Sequence, residues 1–382
     1  MTLQDHVAIT GLSIASALGR TMDELTSSIL LEKRGLRFEH RFQDTLPVPL
    51  GELDLEQWDV PHSMRQNSDQ VMRRVLLAML EQLAFDTQVF RRYEAHEIGF
   101  FLGTTTSGVD GFFTALAAHK QSHQPLWNFL SPGMQQVWVA QEMKKLFPLT
   151  GPFLTFSSSC AAAAQAIGQA YDAVRSGMCK VAIAGGIDIL NPVTLHGFNA
   201  LQILDSDFCA PFTRERKGIN LGEGGAVLLL EKAPQSAAKA YIHGYAALSE
   251  AYHMVQPAQG GPWMTATMQR ALHKAHWSAA SIDYINAHGT GTESNDAAEA
   301  AAIESVFGDL RRTHATKRLT GHYLGASGAI EAAVTVAMLQ QHKAWCLPRA
   351  LVPTSNQSAR GISNSFGFGG SNISLLFSAD VL

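Results

Sequence analysis

Charge is scarce in this sequence of 382 residues, and neither sign dominates it. Charged residues make up 16% of the chain, whereas about a quarter is usual in soluble domains. A net charge of −4 argues against a general nucleic-acid-binding protein, because such a protein needs a basic face. Low charge, 46% hydrophobic residues and 32 glycines together predict extensive buried surface, some of it between subunits.

Long apolar runs and paired cysteines are also missing. No run approaches the ~20 residues that a membrane-spanning helix needs, so no membrane insertion is expected. The start, MTLQDHVAITG, has no basic segment followed by an apolar one, so we expect no secretory signal and a cytoplasmic protein. The cysteines lie far apart without CxxC spacing, which predicts reduced thiols. They are Cys160, Cys179, Cys209 and Cys346.

Apolar runs typical of strands alternate with stretches typical of helices. The runs are 6–11, 98–103, 153–157, 181–187, 226–230, 284–287 and 373–377. The alternation predicts an α/β fold with a largely parallel sheet. Two alanine-rich stretches, 160–176 and 326–341, predict helices buried between layers.

A polar stretch at 231–240, which contains a proline, predicts a boundary within the chain. It divides the sequence into an N-terminal half, residues 1–232, and a C-terminal half, residues 233–382. The segment 34–61 is irregular and punctuated by prolines, and we expect it to run over the surface.

The segment FLTFSSSCAAAAQAIGQAYDAVRSG contains a candidate nucleophile. An apolar strand runs into three serines and Cys160, and a helix follows. At a helix N-terminus the dipole and the free N–H groups stabilise a thiolate, and the same groups bind an oxyanion. The alternative is a small buried thiol at a tight junction. The serines are weaker candidates because they lack a GxSxG elbow.

Two further segments offer histidines. In YINAHGTGTESNDAAEAAAI, His288 follows a strand at the end where ligands collect in parallel α/β sheets, and Thr290 and Thr292 add hydroxyls. In TKRLTGHYLGASGAIEAAV, Lys317 precedes His322, and a nearby ammonium group favours a neutral imidazole. Taken singly, each histidine has a structural or solvated role as its alternative.

The segment NSFGFGGSNISLLF places Phe366 and Phe368 among glycines. Such a loop forms either a flexible gate over an apolar tunnel or a tight turn whose phenylalanines pack in the core. No helix follows it, so a dinucleotide site is not indicated. A metal site is not expected either, because the pair His273 and His276 lacks a third ligand and reads as a surface pair.

Together, the four segments resemble the β-ketoacyl-acyl carrier protein synthase family of the Cys-His-His type. Cys160 precedes His288 by 128 residues, His288 precedes His322 by 34 residues, and both spacings fit that family. The stretches SEAYHM and PFTRERKGINLGEGGAVLLLE extend the resemblance over nearly the whole chain. The resemblance implies the thiolase fold, an α/β fold of five layers (αβαβα) built from two similar halves and usually dimeric.

The resemblance also implies the catalytic roles. Cys160 accepts the acyl group, and His288 and His322 polarise the malonyl thioester and support its decarboxylation. Lys317 supports the histidine pair, and Glu331 lies behind it.

Where the substrate binds is implied in the same way. Backbone N–H groups of the nucleophile and of Phe368 form the oxyanion hole, and Thr290 and Thr292 bind the phosphopantetheine arm. Phe366 and Phe368 gate the tunnel. Thr106, in GTTTSGVDG, lines the acyl pocket, where its small size and its hydroxyl leave room for a long or conjugated chain.

The implied reaction is the decarboxylative Claisen condensation of malonyl-carrier with an acyl-enzyme thioester, in fatty acid or polyketide and polyene chain elongation. The HGTGT loop and the four alanines after the nucleophile suggest a specialised polyketide or aryl-polyene synthase. The expected partner is acyl carrier protein, which brings the phosphopantetheine, so no other cofactor and no metal is expected. Arg65, Arg73 and Arg74 mark the expected carrier-docking helix. We expect a homodimer, or a heterodimer with a chain-length-factor-like subunit.

Three alternatives share parts of this pattern. A degradative thiolase needs a second cysteine in a Cys-x-Gly setting, whereas Cys346 lies in AWCLPRA. A chain-length-factor-like subunit, which shapes its partner's tunnel without catalysis, lacks the nucleophile that this chain keeps. A binding protein would use the tunnel without chemistry and would not need the four motifs together.

Overall fold

The computed structural model describes residues 7–44, 46–232, 238–341 and 359–380, and the backbone of 343–346 and 350–353. The strands are β1 (Val7–Ala15), β2 (Ile98–Gly103), β3 (Phe153–Phe156), β4 (Val181–Asp188), β5 (Gly224–Lys232), β6 (Ala240–Ser249), β7 (Tyr284–Asn286), β8 (Thr313–His314), β9 (Lys343–Cys346), β10 (Ala350–Pro353), β11 (Arg360–Gly367) and β12 (Ser371–Ser378). The α-helices are α1 (Met22–Leu30), α2 (Ser68–Thr87), α3 (Val89–Arg92), α4 (Val109–Ser122), α5 (Trp138–Leu146), α6 (Ala162–Ser176), α7 (Pro192–Ala200), α8 (Pro262–Ala275), α9 (Glu293–Phe307), α10 (Lys317–Thr320) and α11 (Ser327–Gln340). Short 3₁₀ helices lie at His62–Met64, Ala95–Glu97, Leu126–Phe129, Pro132–Met134, Ser159–Ala161, Ala279–Ser281, Leu324–Ala326 and Phe368–Gly370.

Ten strands form one sheet in the order β3-β2-β4-β5-β1-β6-β12-β11-β7-β8. It consists of two five-strand sets with the same topology, joined where β1 pairs with β6. In the first set β5 is antiparallel to both β1 and β4, whereas β2 is parallel to both β4 and β3. In the second set β6, β12 and β11 repeat the antiparallel part, and β11, β7 and β8 repeat the parallel part.

The sheet is therefore mixed, and the expectation of a largely parallel sheet was wrong. Parallel neighbours need a long crossover connection, whereas a tight turn allows antiparallel pairing. The short turn at Phe368–Gly370 joins β11 to β12 as an antiparallel pair. The alternation of strand and helix signals did not reveal β6 or β11, and these strands complete the antiparallel part.

The layers are stacked as αβαβα. The central helices α6 and α11 lie between the two strand sets and share one apolar core with their inner faces. Helices α2 and α5 cover the outer face of the first set, and α8 and α9 cover that of the second. In α11 every residue from Ser327 to Leu339 is buried, as its alanine content predicts. The expected five-layered fold of two similar halves is thus confirmed.

Each central helix is preceded by a strained turn. Ser159 and Leu324 both have a φ of 50°, and each begins a 3₁₀ helix that leads into α6 or α11. A non-glycine residue in this left-handed region costs of order 1–3 kcal/mol, so it persists only where the surroundings enforce it. The two strained turns lie at equivalent positions of the two halves and contact each other, so the beginnings of the two central helices are close together.

The segment 34–61 is irregular, as expected, but it is not a surface excursion. Its residues Leu50, Leu53 and Trp58 are buried and pack into two of the apolar clusters. The segment forms neither an α-helix nor a strand, so its apolar residues show no periodic pattern. Its burial could therefore not be predicted from the sequence.

The expected boundary between the halves falls in a gap of the described structure. Strand β5 ends at Lys232 and β6 begins at Ala240, while 233–237 lie outside the described residues. The division at residues 232 and 233 stays a prediction. Among the described residues, no helix combines the length and the apolar character needed to cross a membrane.

The contact between α6 and the second strand set yields a stability prediction. A Cβ atom at Gly168 in α6 would lie 2.4 Å from Cδ2 of Tyr245 in β6. We expect Gly168→Ala to lower the free energy of unfolding by about 1–3 kcal/mol, the usual effect of overfilling a core. Gly197→Ala in α7 is the matched control, because a Cβ there meets no atom within 4 Å. It should be neutral or stabilising, since alanine is the better helix former. Urea denaturation measures both variants, and wild-type stability of Gly168→Ala would contradict this packing.

Candidate active site

The four sequence segments meet in one cavity. The predicted site residues that line it are Cys160, His288, Thr290, Thr292, His322, Phe366 and Phe368. The sulfur of Cys160 and one ring nitrogen of each histidine lie within 4.8 Å of one another. The first half of the chain supplies the thiol and the second half supplies the imidazoles, so the site exists only where the halves meet.

Cys160 is the middle residue of the 3₁₀ helix that precedes α6. Burial raises the pKa of its thiol to about 11, although the charge of Lys317 and hydrogen bonds from the N–H groups of Phe368 and of Cys160 itself act in the opposite direction. The N–H groups thus favour the thiolate as expected, but burial outweighs them, so the resting site keeps the thiol protonated. Both N–H groups lie beside the sulfur, and their role as an oxyanion hole stays a prediction.

Lys317 connects the catalytic candidates. Its side chain is 1% exposed, and its Nζ donates to the carboxylate of Glu331, to Nδ1 of His288 at 3.1 Å and to the carbonyl of His288 at 2.6 Å. An ammonium group can only donate, so Nδ1 of His288 accepts and its Nε2 carries the hydrogen. His288 therefore offers an N–H donor to a ligand in the cavity.

Both imidazoles are held neutral. Burial, followed by the charge of Lys317, lowers the pKa of His288 and of His322 well below the usual range. Their rings lie 5.5 Å apart between centroids and almost perpendicular to each other. Burial also raises the pKa of Glu331 to about 7, against the attraction of Lys317. The sequence predicted neutral histidines from the lysine, but burial is the larger cause.

The loop that carries His288 is held by two carboxylates to which sequence analysis assigned no role. Glu299 accepts hydrogen bonds from the N–H groups of His288 at 2.7 Å and Gly289 at 2.8 Å. Asp296 accepts one from the N–H group of Gly291 at 3.1 Å. The two acids lie three residues apart on one face of α9, and this spacing was the signal available in the sequence.

Thr290 and Thr292 lie in the same loop and line the cavity with the catalytic candidates. Their hydroxyl oxygens are 2.8 Å apart, and Thr290 is 8% exposed. Both side chains therefore lie at the cavity wall, and their binding of a phosphopantetheine arm stays a prediction.

Phe368 lies between this cavity and a second, more open one. Cys160, Phe198 and Phe368 line both cavities. The ring of Phe368 stacks on that of Phe198 with centroids 6.0 Å apart. Phe366 is 5% exposed and packs beside His288 at 6.3 Å between ring centroids. Phe368 thus has the position of a gate, whereas Phe366 forms part of the wall; the gating role stays a prediction for both.

Thr106 lines the second cavity, but its hydroxyl is already bound. The buried carboxylate of Asp188 accepts hydrogen bonds from the N–H and the hydroxyl of Thr106, both at 2.9 Å. It also accepts from the hydroxyls of Thr104 and Thr105 and from the N–H of Gly325. The hydroxyl of Thr106 is therefore not free to contact an acyl chain, which corrects that part of the expectation. Nothing near Asp188 in the sequence indicated this contact between the two halves.

The expected carrier-docking helix is less basic than its arginines suggest. Each arginine lies within 4 Å of a carboxylate, in the pairs Arg65–Glu56, Arg73–Glu142 and Arg74–Asp59. Arg65 also precedes α2, which begins at Ser68. These pairs leave little free positive charge for an acidic partner at this face.

The cluster of Cys160, His288 and His322 has the composition of a metal site, but its surroundings favour donors. A metal-bound histidine usually donates its other N–H to a carboxylate or carbonyl. Here the other nitrogen of His288 accepts from the ammonium of Lys317, whose charge opposes a cation. Burial also keeps the thiol protonated. His273 and His276 are exposed in the region of α8, as expected for a surface pair.

Family models match most of this chain. The family model described as beta-ketoacyl synthase, N-terminal domain, matches residues 4–236, and the one described as the C-terminal domain matches residues 239–348. Nodulation protein E of Rhizobium leguminosarum bv. trifolii is 36% identical over 259 residues, which cover 60% of this chain and 62% of that protein. The chain thus spans about 62% of this relative's length. The 3-oxoacyl-[acyl-carrier-protein] synthase 2 of Mycobacterium bovis is 30% identical and covers 97% of both chains.

Solved structures show the same fold. A chain of the complex between a ketosynthase and its chain length factor from Xenorhabdus doucetiae has a TM-score of 0.82 at 27% identity, with 100% of this chain and 99% of that chain covered. A beta-ketoacyl synthase from Burkholderia phymatum has a TM-score of 0.82 at 26% identity, with 99% and 100% covered. The fold is the thiolase fold of ketosynthases, and the chain belongs to the beta-ketoacyl synthase family.

Proposed function

We propose that this protein is a 3-oxoacyl-[acyl-carrier-protein] synthase that elongates an acyl chain by decarboxylative Claisen condensation. The observation that carries the proposal is the convergence of a buried thiol, two neutral imidazoles and two backbone N–H groups in one cavity. Each group matches one requirement of the reaction: a nucleophile, donors for an enolate and donors for a tetrahedral oxyanion. The mycobacterial relative, which matches over almost the whole chain, is named as a synthase of this type, and this supports the same reaction.

In the first half-reaction the acyl group moves to Cys160. The sulfur attacks the thioester carbonyl of the acyl carrier, and the new C–S bond replaces the carrier's C–S bond. The thiol proton is lost and the departing carrier sulfur gains a proton, so the exchange is balanced. The N–H groups of Cys160 and Phe368 hold the transient oxyanion, and such preorganised donors contribute ~3–4 kcal/mol each.

In the second half-reaction malonyl-carrier occupies the cavity and loses carbon dioxide. The bonding pair of the broken C–C bond becomes an enolate, whose oxygen accepts hydrogen bonds from His288 and His322. The enolate carbon attacks the acyl carbonyl on Cys160, a C–C bond forms, and the sulfur leaves and regains a proton. Neutral imidazoles suit this step because they offer N–H donors without transferring a full proton to the enolate.

The same proposal covers partners and location. Acyl carrier protein delivers both substrates on a phosphopantetheine arm that passes Thr290 and Thr292, and no metal or nucleotide cofactor takes part. A second subunit, identical or chain-length-factor-like, covers the exposed apolar side chains of Phe112, Phe113 and Trp127. The complex of a ketosynthase with its chain length factor supports the heterodimeric form. The protein acts in the cytoplasm, in fatty acid or polyketide and polyene chain elongation.

The first test of the proposal is covalent loading of Cys160. After incubation with acyl carriers of several chain lengths, peptide mass spectrometry should find the acyl group on Cys160. Cys160→Ala should abolish both the adduct and condensation, because among the described residues no other thiol lies beside these donors. Cys179→Ala is a control, since that buried thiol lines neither cavity. An active enzyme with its adduct on Ser159 would contradict the assignment. If condensation requires a second subunit and no acyl adduct forms on this chain, the chain-length-factor role would be favoured.

The second test concerns the charge of Lys317. Lys317→Met leaves the buried carboxyl of Glu331 unpaired, and breaking a buried ion pair costs about 3–5 kcal/mol of stability. Burial raises the pKa of this carboxyl to about 7 even with Lys317 present. A carboxyl with a raised pKa destabilises the fold increasingly as the pH rises above its unfolded pKa. The deficit in unfolding free energy should therefore be larger at pH 8 than at pH 6.

The double variant Lys317→Met/Glu331→Gln is the matched control for that test. It removes both charges, so most of the lost stability should return. A double variant as unstable as the single one at both pH values would show that the two groups are not coupled. Denaturant unfolding, followed by circular dichroism, measures all three proteins.

The third test concerns Thr106 and chain length. Thr106→Ile replaces the hydroxyl with a larger ethyl group in the wall of the second cavity, and overfilling a packed pocket costs ~1–3 kcal/mol. We expect loading of long acyl chains to fall relative to short ones. Thr106→Val is the control, because it loses the same hydroxyl hydrogen bond to Asp188 but adds almost no volume. Single-turnover acylation measures the long-to-short ratio, and an equal ratio in both variants would exclude Thr106 from the acyl pocket.

A further inference from the structure

His322 is oriented by a hydroxyl group, in contrast to His288. Its Nδ1 lies 2.6 Å from Oγ of Ser327, the first residue of α11. His322 is 1% exposed and Ser327 is 3% exposed. Nε2 of His322 is buried and has no hydrogen-bond partner among the described residues, while the ring lines the cavity with Cys160.

Two arrangements of hydrogens fit this distance, and only one satisfies the buried hydroxyl. If Nδ1–H donated to Oγ, the hydrogen of the Ser327 hydroxyl would have no acceptor, because Nδ1 is its one partner in the described structure. Leaving a buried polar hydrogen without an acceptor is costly. If the hydroxyl donates to Nδ1, both atoms are satisfied. Nε2 then carries the hydrogen and is left for a ligand in the cavity.

We propose that Ser327 is a positioning residue, whose hydroxyl donates to Nδ1 of His322 and thereby keeps this imidazole an Nε2–H donor. The inference rests on the proposed condensation, in which that donor stabilises the enolate. Lys317 gives His288 the same tautomer by donating to its Nδ1. Both histidines thus present an Nε2–H donor, although an ammonium group holds one ring and a hydroxyl group holds the other.

The duplicated fold shows that the hydroxyl is not a general feature of the helix start. Helices α6 and α11 occupy equivalent places in the two halves, and each follows a 3₁₀ helix that begins with a residue of φ 50°. The first residue of α6 is Ala162, behind the nucleophile, and the first residue of α11 is Ser327, behind the histidine. The hydroxyl is thus present at the beginning of the helix behind His322, and alanine takes its place at the beginning of the helix behind Cys160.

The kinetic test compares Ser327→Ala with wild type in the two half-reactions. Release of labelled carbon dioxide from malonyl-carrier should fall about fivefold, the value of one net hydrogen bond. Acyl transfer to Cys160 should change less than about twofold, because the enolate forms only in the second half-reaction. Ser327→Thr keeps the hydroxyl and should restore decarboxylation. Ser28→Ala is the matched control, since it also removes one buried hydroxyl bond, to the carbonyl of Leu18.

A spectroscopic test reads the tautomer without activity. ¹⁵N shifts of histidine-labelled protein, with His322 assigned from its loss in His322→Ala, should show Nε2 protonated in wild type and a mixture of tautomers in Ser327→Ala. Protonated Nδ1 in wild type, or unchanged decarboxylation and tautomer in Ser327→Ala, would overturn the inference. If wild type neither loads acyl groups nor releases carbon dioxide, the proposed function fails, and the ¹⁵N shifts still decide the role of Ser327.

Discussion

The buried ammonium group of Lys317 is the interaction on which the site depends. A charge removed from water is costly unless it is paired and its hydrogens are bonded. Glu331 neutralises it, and its other hydrogens go to the ring and to the carbonyl of His288. These bonds fix which ring nitrogen carries a hydrogen, and the charge opposes protonation of both imidazoles. The arrangement needs a dry environment, and the central layer of α6 and α11 supplies it.

Placing this network between two similar halves separates the tasks of the reaction. The first half contributes Cys160 and its own N–H group, whereas the second contributes the N–H group of Phe368 and the two imidazoles, which are donors for a different charge. Phe368 lies where the two cavities meet and lines both of them together with Cys160. Asp188 accepts hydrogen bonds from the N–H of Thr106 in the first half and from that of Gly325 in the second, and so links the loops of the two halves.

Much of the site could be predicted from the sequence because each catalytic candidate lies in a segment with its own local pattern. Cys160 follows a strand and precedes a helix, and the glycines around Phe368 mark a turn. The burial that controls the pKa values could not be predicted, and this is why the thiol was expected to be more acidic than it is. Asp188 and Ser327 were missed for a related reason. Their partners depend on how loops from distant parts of the chain pack. The mixed sheet was missed because the apolar pattern in the sequence did not reveal β6 and β11, which complete its antiparallel part.

In the proposed reaction, loss of carbon dioxide and formation of a C–C bond to the acyl group of Cys160 occur in the same turnover. The most direct measurement mixes acyl-loaded enzyme with malonyl-carrier labelled in its free carboxyl group, in a single turnover. Labelled carbon dioxide and β-ketoacyl-carrier should appear in equal amounts and at the same rate, while the acyl group disappears from Cys160. Loss of the acyl group to water, or carbon dioxide released without a lengthened product, would contradict the account.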